Sequence, residues 1–167
     1  GHLVMLCAAS SFAAEKQDEP DFTTAAPHAN VVDATTGEVF FEKAADDTFE
    51  PASMSKLMTM AMVFDALGAG ALKEDDLITI SEDAWRRGGA PSGGSTMYAE
   101  VKSQVPVRDL MRGVVVQSAN DAAIAFAERL GGSEPAFAEK MTTRGREIGL
   151  QRSTFRNATG LPDPEHL

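Results

Sequence analysis

Pro51-Ala52-Ser53-Met54-Ser55-Lys56-Leu57-Met58-Thr59 is the stretch that decides how the chain is organised. Met54, Leu57, Met58, Met60, Met62, Val63, Phe64 and Leu67 follow the proline too evenly for a surface stripe. A helix apolar on nearly every side is a buried one, so the pattern predicts a buried helix from Ser53 to Leu67, ended by Gly68 or Gly70. Ser53 and Lys56 are three apart and share one face of its first turn. There the amine can take the hydroxyl proton, and the chain offers a serine no better-placed base. Apolar surroundings lower a lysine pKa and make the neutral amine available. Backbone N–H groups at a helix start lack helical partners and can stabilise an oxyanion. One short segment thus holds a candidate nucleophile, its base and part of an oxyanion hole.

Ser118-Ala119-Asn120 is the second pattern, set between two apolar stretches. A hydroxyl at Ser118 can relay a proton from Lys56 to a departing amine. The Asn120 amide has both donor and acceptor for a substrate peptide group. Each motif alone is weak, with about 0.4 chance Ser-x-x-Lys matches and about 0.2 for Ser-x-Asn in a chain of this composition. Taken singly, Ser53 reads equally as a helix cap, Lys56 as a solvated helix lysine and Asn120 as a turn residue.

Around these motifs the chain reads as one domain with more helix than strand and no internal repeat. Asn30-Val31-Val32-Asp33 and Glu38-Val39-Phe40-Phe41 flank Ala34-Thr35-Thr36-Gly37, a hairpin with a glycine turn. Leu77-Ile78-Thr79-Ile80 is a short strand, and glycine-rich Arg86 to Gly94 a loop. Helices follow over Val107–Val116, with Leu110, Met111, Val114 and Val115 apolar, and over Asp121–Leu130. A last helix opens at Ser133-Glu134-Pro135, faces inward through Phe137, Met141 and Ile148, and stops at Gly149.

The chain has 167 residues, 43% of them hydrophobic, enough for one real core. A net charge of -10 excludes the basic footprint of a nucleic-acid partner. No apolar run reaches transmembrane length. Leu3 to Ala9 followed by Ser11-Phe12-Ala13 reads as the core and cleavage site of a secretory signal behind a Gly1-His2 cloning scar. Residues 1–13 are therefore expected to be scar and signal remnant, 14–28 a mobile acidic leader, and 29–167 the fold. Cys7, the only cysteine, would leave with the signal, and Leu6 before it does not suit a lipoprotein. The mature chain then has no disulfide, no thiol nucleophile and no cysteine-ligated metal. His2, His28 and His166 make no metal-ligand spacing, and no phosphate-cradling loop occurs, so no cofactor is expected.

From Ala29 to Leu161 the chain resembles the low-molecular-weight penicillin-binding proteins, the D-alanyl-D-alanine carboxypeptidases. The resemblance rests on the hairpin Val31 to Val39, Pro51 to Thr59, Gly94-Ser95-Thr96-Met97, Gln117 to Ala122 and Phe155-Arg156-Asn157-Ala158-Thr159-Gly160-Leu161. Five segments in family order are far more specific than either motif. The resemblance implies an α+β, transpeptidase-like fold, an antiparallel sheet packed between helical layers. It also implies a bacterial periplasmic enzyme that removes the terminal D-alanine of peptidoglycan stem peptides and is acylated by β-lactams. Ser53 would be the acylated nucleophile, Lys56 its base, with Ser118 and Asn120 in the second motif. Membrane association would come only through a C-terminal region beyond Leu167.

Two departures stand out. Ala119 replaces the glycine common in the second motif, and the family's Lys-Thr-Gly motif is absent, since none of the six lysines precedes Thr-Gly. The chain therefore reads as the N-terminal portion of the domain and is expected to be inactive on its own. A class A β-lactamase needs a water-activating glutamate in the following loop, where only Asp163 and Glu165 stand. An endopeptidase of the same family and a non-catalytic cell-wall-binding module are the remaining readings.

Overall fold

The computed structural model describes residues 22–167, in two compact units divided between Asp47 and Thr48. The expected signal remnant, Cys7 and most of the leader lie outside the described residues. In the first unit, β1 (Ala29–Val32) pairs antiparallel with β2 (Val39–Lys43), Val31 opposite Phe41. The register shifts between Val31 and Val32, a bulge that puts Val39 opposite Val32. The turn is built by Asp33, whose Oδ1 accepts the Thr35 and Thr36 N–H groups at 2.8 and 2.7 Å. Those bonds, first of all that from Thr36, hold its carboxyl below its ordinary pKa.

The second unit is helical around one central element. Its elements are α1 (Lys56–Gly68), β3 (Leu77–Thr79), α2 (Glu82–Gly88), β4 (Gln104–Pro106), α3 (Val107–Gln117), α4 (Asn120–Gly131) and α5 (Glu134–Glu147). β3 and β4 form a second antiparallel pair, Ile78 opposite Val105. Residues Ala122 to Ala127 of α4 are all fully buried. Four of those six are alanines, so α1, α2, α3 and α5 can all come close to its backbone. The tightest approach is at Gly88, where a Cβ would overlap the backbone of Asn120 and Asp121.

Two buried carboxylates fix the loops around this core. Asp121 accepts from the Thr96 hydroxyl at 2.8 Å and from the N–H groups of Met97, Ala99 and Ala122 at 3.0–3.1 Å. It thereby pins residues 96–99 to the start of α4. Glu134, at the start of α5, accepts the Ala158 N–H at 3.0 Å and the Arg87 guanidinium at 2.6 Å. A buried carboxylate with all its acceptors used is a specific clamp, because any other arrangement leaves it unpaired.

Three sequence expectations are corrected. Arg86 to Gly94 is not all loop, since α2 runs to Gly88 and a 3₁₀ turn covers Ala90–Ser92. The signals were the Ser81 cap, whose hydroxyl accepts the Ala84 N–H at 2.9 Å, and the i,i+4 pairs Glu82–Arg86 and Asp83–Arg87. Phe137 and Met141 are fully buried as expected, but Ile148 lies past the end of α5 and is 52% exposed. In α1, Met58, Met60 and Val63 are buried, whereas Leu57 is 75% and Phe64 53% exposed. That face of α1 is the apolar wall of a cleft rather than core.

Gly88→Ala should lower stability by about 1–3 kcal/mol, because backbone rather than a flexible side chain opposes the added methyl. Urea unfolding of the full-length protein would show it as a lower midpoint at unchanged slope.

Candidate active site

Ser53 sits on a 3₁₀ turn, Ala52–Ser55, that runs directly into α1. The turn follows a strained step, since Ala52 holds φ +48. Ser53 is exposed, and its N–H makes no hydrogen bond among the described residues. Lys56, first in α1, is only 5% exposed although it is a lysine. Its Nζ lies 3.2 Å from Ser53 Oγ and donates to the Thr159 carbonyl at 2.7 Å. Burial pushes the amine down from an ordinary lysine pKa to about 8. No carboxylate pairs with it among the described residues, and desolvation is the cause of the shift.

The segment after α5 builds the floor under this amine. Asn157 Oδ1 accepts from the Thr159 N–H, the Thr159 hydroxyl and the Gly160 N–H at 3.1, 3.0 and 2.7 Å. Its Nδ2 donates to the Leu161 carbonyl at 2.9 Å, closing the loop on both sides. The Thr59 hydroxyl of α1 donates to the Ala158 carbonyl at 2.8 Å. With the loop so held, the Thr159 carbonyl aims at Lys56. Gly160, at φ +80, lies against the Ala52 carbonyl so closely that any Cβ would overlap it.

Ser118 ends α3 in the left-handed region, φ +53 and ψ +35. Ser53, Lys56 and Ser118 line one cleft of about 460 Å³, walled by Leu57, Phe64, Val114 and Val115. Asn120 follows at the first position of α4, buried, its N–H donating to the Ser95 carbonyl at 2.9 Å. It adjoins Gly94 but does not line the cleft itself. The structure therefore brings three of the four sequence-derived residues together and places the fourth two residues beyond Ser118. Sequence reasoning missed Thr159 as a ligand of the amine. Its contribution is a backbone carbonyl, which leaves no side-chain signature; the only clue was Asn157 ahead of Thr159-Gly160.

Comparison with known proteins identifies the family. The profile of the D-alanyl-D-alanine carboxypeptidases matches residues 13–167. D-alanyl-D-alanine carboxypeptidase DacF of Bacillus subtilis is 35% identical over 99% of this chain and 42% of its own length. The crystal structure of D-alanyl-D-alanine carboxypeptidase DacD from Francisella tularensis superposes with a TM-score of 0.80 at 39% identity, over 87% of this chain and 34% of that one. Penicillin-binding protein D2 of Listeria monocytogenes in its ampicillin-bound form gives 0.73 at 29% identity, over 87% and 56%. The chain belongs to the D-alanyl-D-alanine carboxypeptidase family and has its penicillin-binding-protein fold. It spans about two fifths of the length of the curated relatives it matches.

Gly160→Ala should displace the Thr159 carbonyl and the Ser53 turn together, because both the positive φ and the Ala52 carbonyl oppose a Cβ. A loss of about 2 kcal/mol or more is expected in denaturant unfolding, and a variant as stable as the parent would show that this contact is not fixed.

Proposed function

We propose that the full-length protein is a serine-type D-Ala-D-Ala carboxypeptidase of the periplasm, with Ser53 as nucleophile and Lys56 as base. The observation that carries this is a buried amine 3.2 Å from a serine hydroxyl, with no carboxylate beside it. A neutral amine has two N–H groups and one lone pair. One N–H is spent on Thr159 O, and the lone pair is left to accept the Ser53 proton. Oγ then attacks the carbonyl carbon of the peptide bond before the terminal D-alanine, and the Ser53 N–H stands free to hold the oxyanion. The proton on Lys56 passes through the Ser118 hydroxyl to the leaving nitrogen, and D-alanine departs. Water hydrolyses the acyl ester, releasing the shortened stem peptide and restoring Ser53. Asn120, two residues beyond Ser118 at the start of α4, is the residue assigned to the substrate's peptide group.

β-Lactams are read by the same pair as acylating inhibitors, in keeping with the ampicillin-bound Listeria relative. Among the described residues, the two acids that follow residues 155–161 are already engaged, which disfavours a β-lactamase reading. Glu165 pairs with Arg156 at 2.7 Å, and Asp163 accepts the Glu165 N–H at 2.9 Å.

Mixing the full-length protein with a penicillin should add one drug mass to the peptide containing Ser53, and Ser53→Ala should abolish it. Lys56→Arg keeps the charge but cannot deprotonate, so acylation should fall by roughly 100- to 10,000-fold. The sign of the pH dependence follows from the neutral amine being the active form. At pH 7 roughly a tenth of Lys56 is neutral, against roughly 0.04% for an ordinary lysine. Acylation should therefore rise about tenfold per pH unit and level off above about 8. An arginine variant acylating at the parent rate would exclude Lys56 as the base.

A further inference from the structure

His166 is fully enclosed, at 2% exposure, and has no part in the chemistry described so far. Its Nε2 lies 2.6 Å from the hydroxyl of Ser55, itself buried, and among the described residues that is the only hydrogen bond of the Ser55 side chain. Its Nδ1 accepts the Arg156 N–H at 3.4 Å, which fixes the tautomer: Nε2 carries the proton and donates to Ser55 Oγ. The ring stands edge-on to Phe155, centroids 5.7 Å apart. Ser55 is one of the two residues between Ser53 and Lys56, on the same 3₁₀ turn as Ser53. The seam between residues 50–52 and 160–166 leaves about 10 Å³ of space, hardly one water. The segment after α5 therefore grips the nucleophile turn twice, by Thr159 O on Lys56 and by His166 on Ser55.

We propose that His166 is a positioning residue of the acylation site, holding Ser53 and Lys56 in register through Ser55, and that it does so only as the neutral imidazole. The proposal rests on the reading of Ser53 and Lys56 as the acylating pair. Protonation puts an N–H on Nδ1, facing the Arg156 N–H, so one of the two ring contacts turns repulsive. The cation would also sit in an enclosed seam, and burial accordingly pushes the ring below an ordinary histidine pKa. The charges acting on it are Asp163 in its own segment, Glu134 on α5 and Glu50 ahead of the turn. All three favour the cation through space, and burial outweighs them. Arg156 and Glu165 pair with each other beside it.

Two separate protonations then block acylation, at Lys56 and, at lower pH, at His166. In the full-length protein, the logarithm of the penicillin acylation rate constant should climb with slope 1 per pH unit just below the Lys56 plateau. Around and just below the His166 midpoint the profile should steepen beyond slope 1. His166→Gln, which keeps a side-chain N–H donor and cannot titrate, should acylate within about threefold of the parent at pH 8.5 and show slope 1 down to pH 5. His166→Ala should acylate about tenfold or more slowly at every pH. A parent profile of slope 1 throughout, or a second break surviving in His166→Gln, overturns the proposal. Imidazole ¹⁵N NMR tests the geometry even if penicillin does not label the protein. Nε2–H with a midpoint below ordinary histidine is expected, moving in Ser55→Ala; the Nδ1–H tautomer, or a midpoint indifferent to Ser55→Ala, refutes it. Absence of labelling with the expected ¹⁵N spectrum would count against the acylating pair and not against the His166–Ser55 contact.

Discussion

One amine, that of Lys56, joins the parts of the second unit into a site. It belongs to α1, reaches back to the turn before that helix, and is held by a carbonyl about a hundred residues later in the chain. Removing a lysine from water is costly unless the charge is relieved. The fold relieves only part of that cost, offering the Thr159 carbonyl dipole in place of a carboxylate, so that burial brings the amine down to about 8. A carboxylate there would have fixed the ammonium form and removed the lone pair that a serine needs.

Where the fold does bury carboxylates, it uses them away from the cleft. Asp121 holds the loop that reaches Ser95 and Asn120, and Glu134 holds Ala158, next to the carbonyl that meets Lys56. Both sit at helix starts, where acidic groups are favoured by the unpaired N–H groups there. The two acids thus set the positions of residues 96–99 and of the loop that meets Lys56, and neither pairs with Ser53 or Lys56. The division is what the proposed chemistry, a neutral amine beside a developing oxyanion, would require.

Much of this was legible in the residues. The Ser53–Lys56 spacing, the second motif and the boundaries of α3, α4 and α5 all follow local rules of periodicity and capping, and the structure places them within a residue or two. α2 was lost because Gly88, Gly89 and Pro91 drew attention from the Ser81 cap and the two ion pairs. β4 was missed because Gln104-Val105-Pro106 is three residues long and carries a proline at its end. The exposure of Leu57 and Phe64 was illegible for a different reason: an apolar cleft wall and an apolar core have the same composition. Thr159 and His166 act through contacts more than a hundred residues from their partners, which no local pattern encodes.

Ser118 ends α3 with positive φ, a conformation that a side chain branched at Cβ resists. Threonine, the chemically nearest replacement, would bring the same hydroxyl but meet the backbone with a second heavy atom. Glycine or asparagine would relax the backbone and take the hydroxyl away. A serine at this place in the cleft therefore has almost no neighbours in sequence space that keep both its hydroxyl and its backbone conformation.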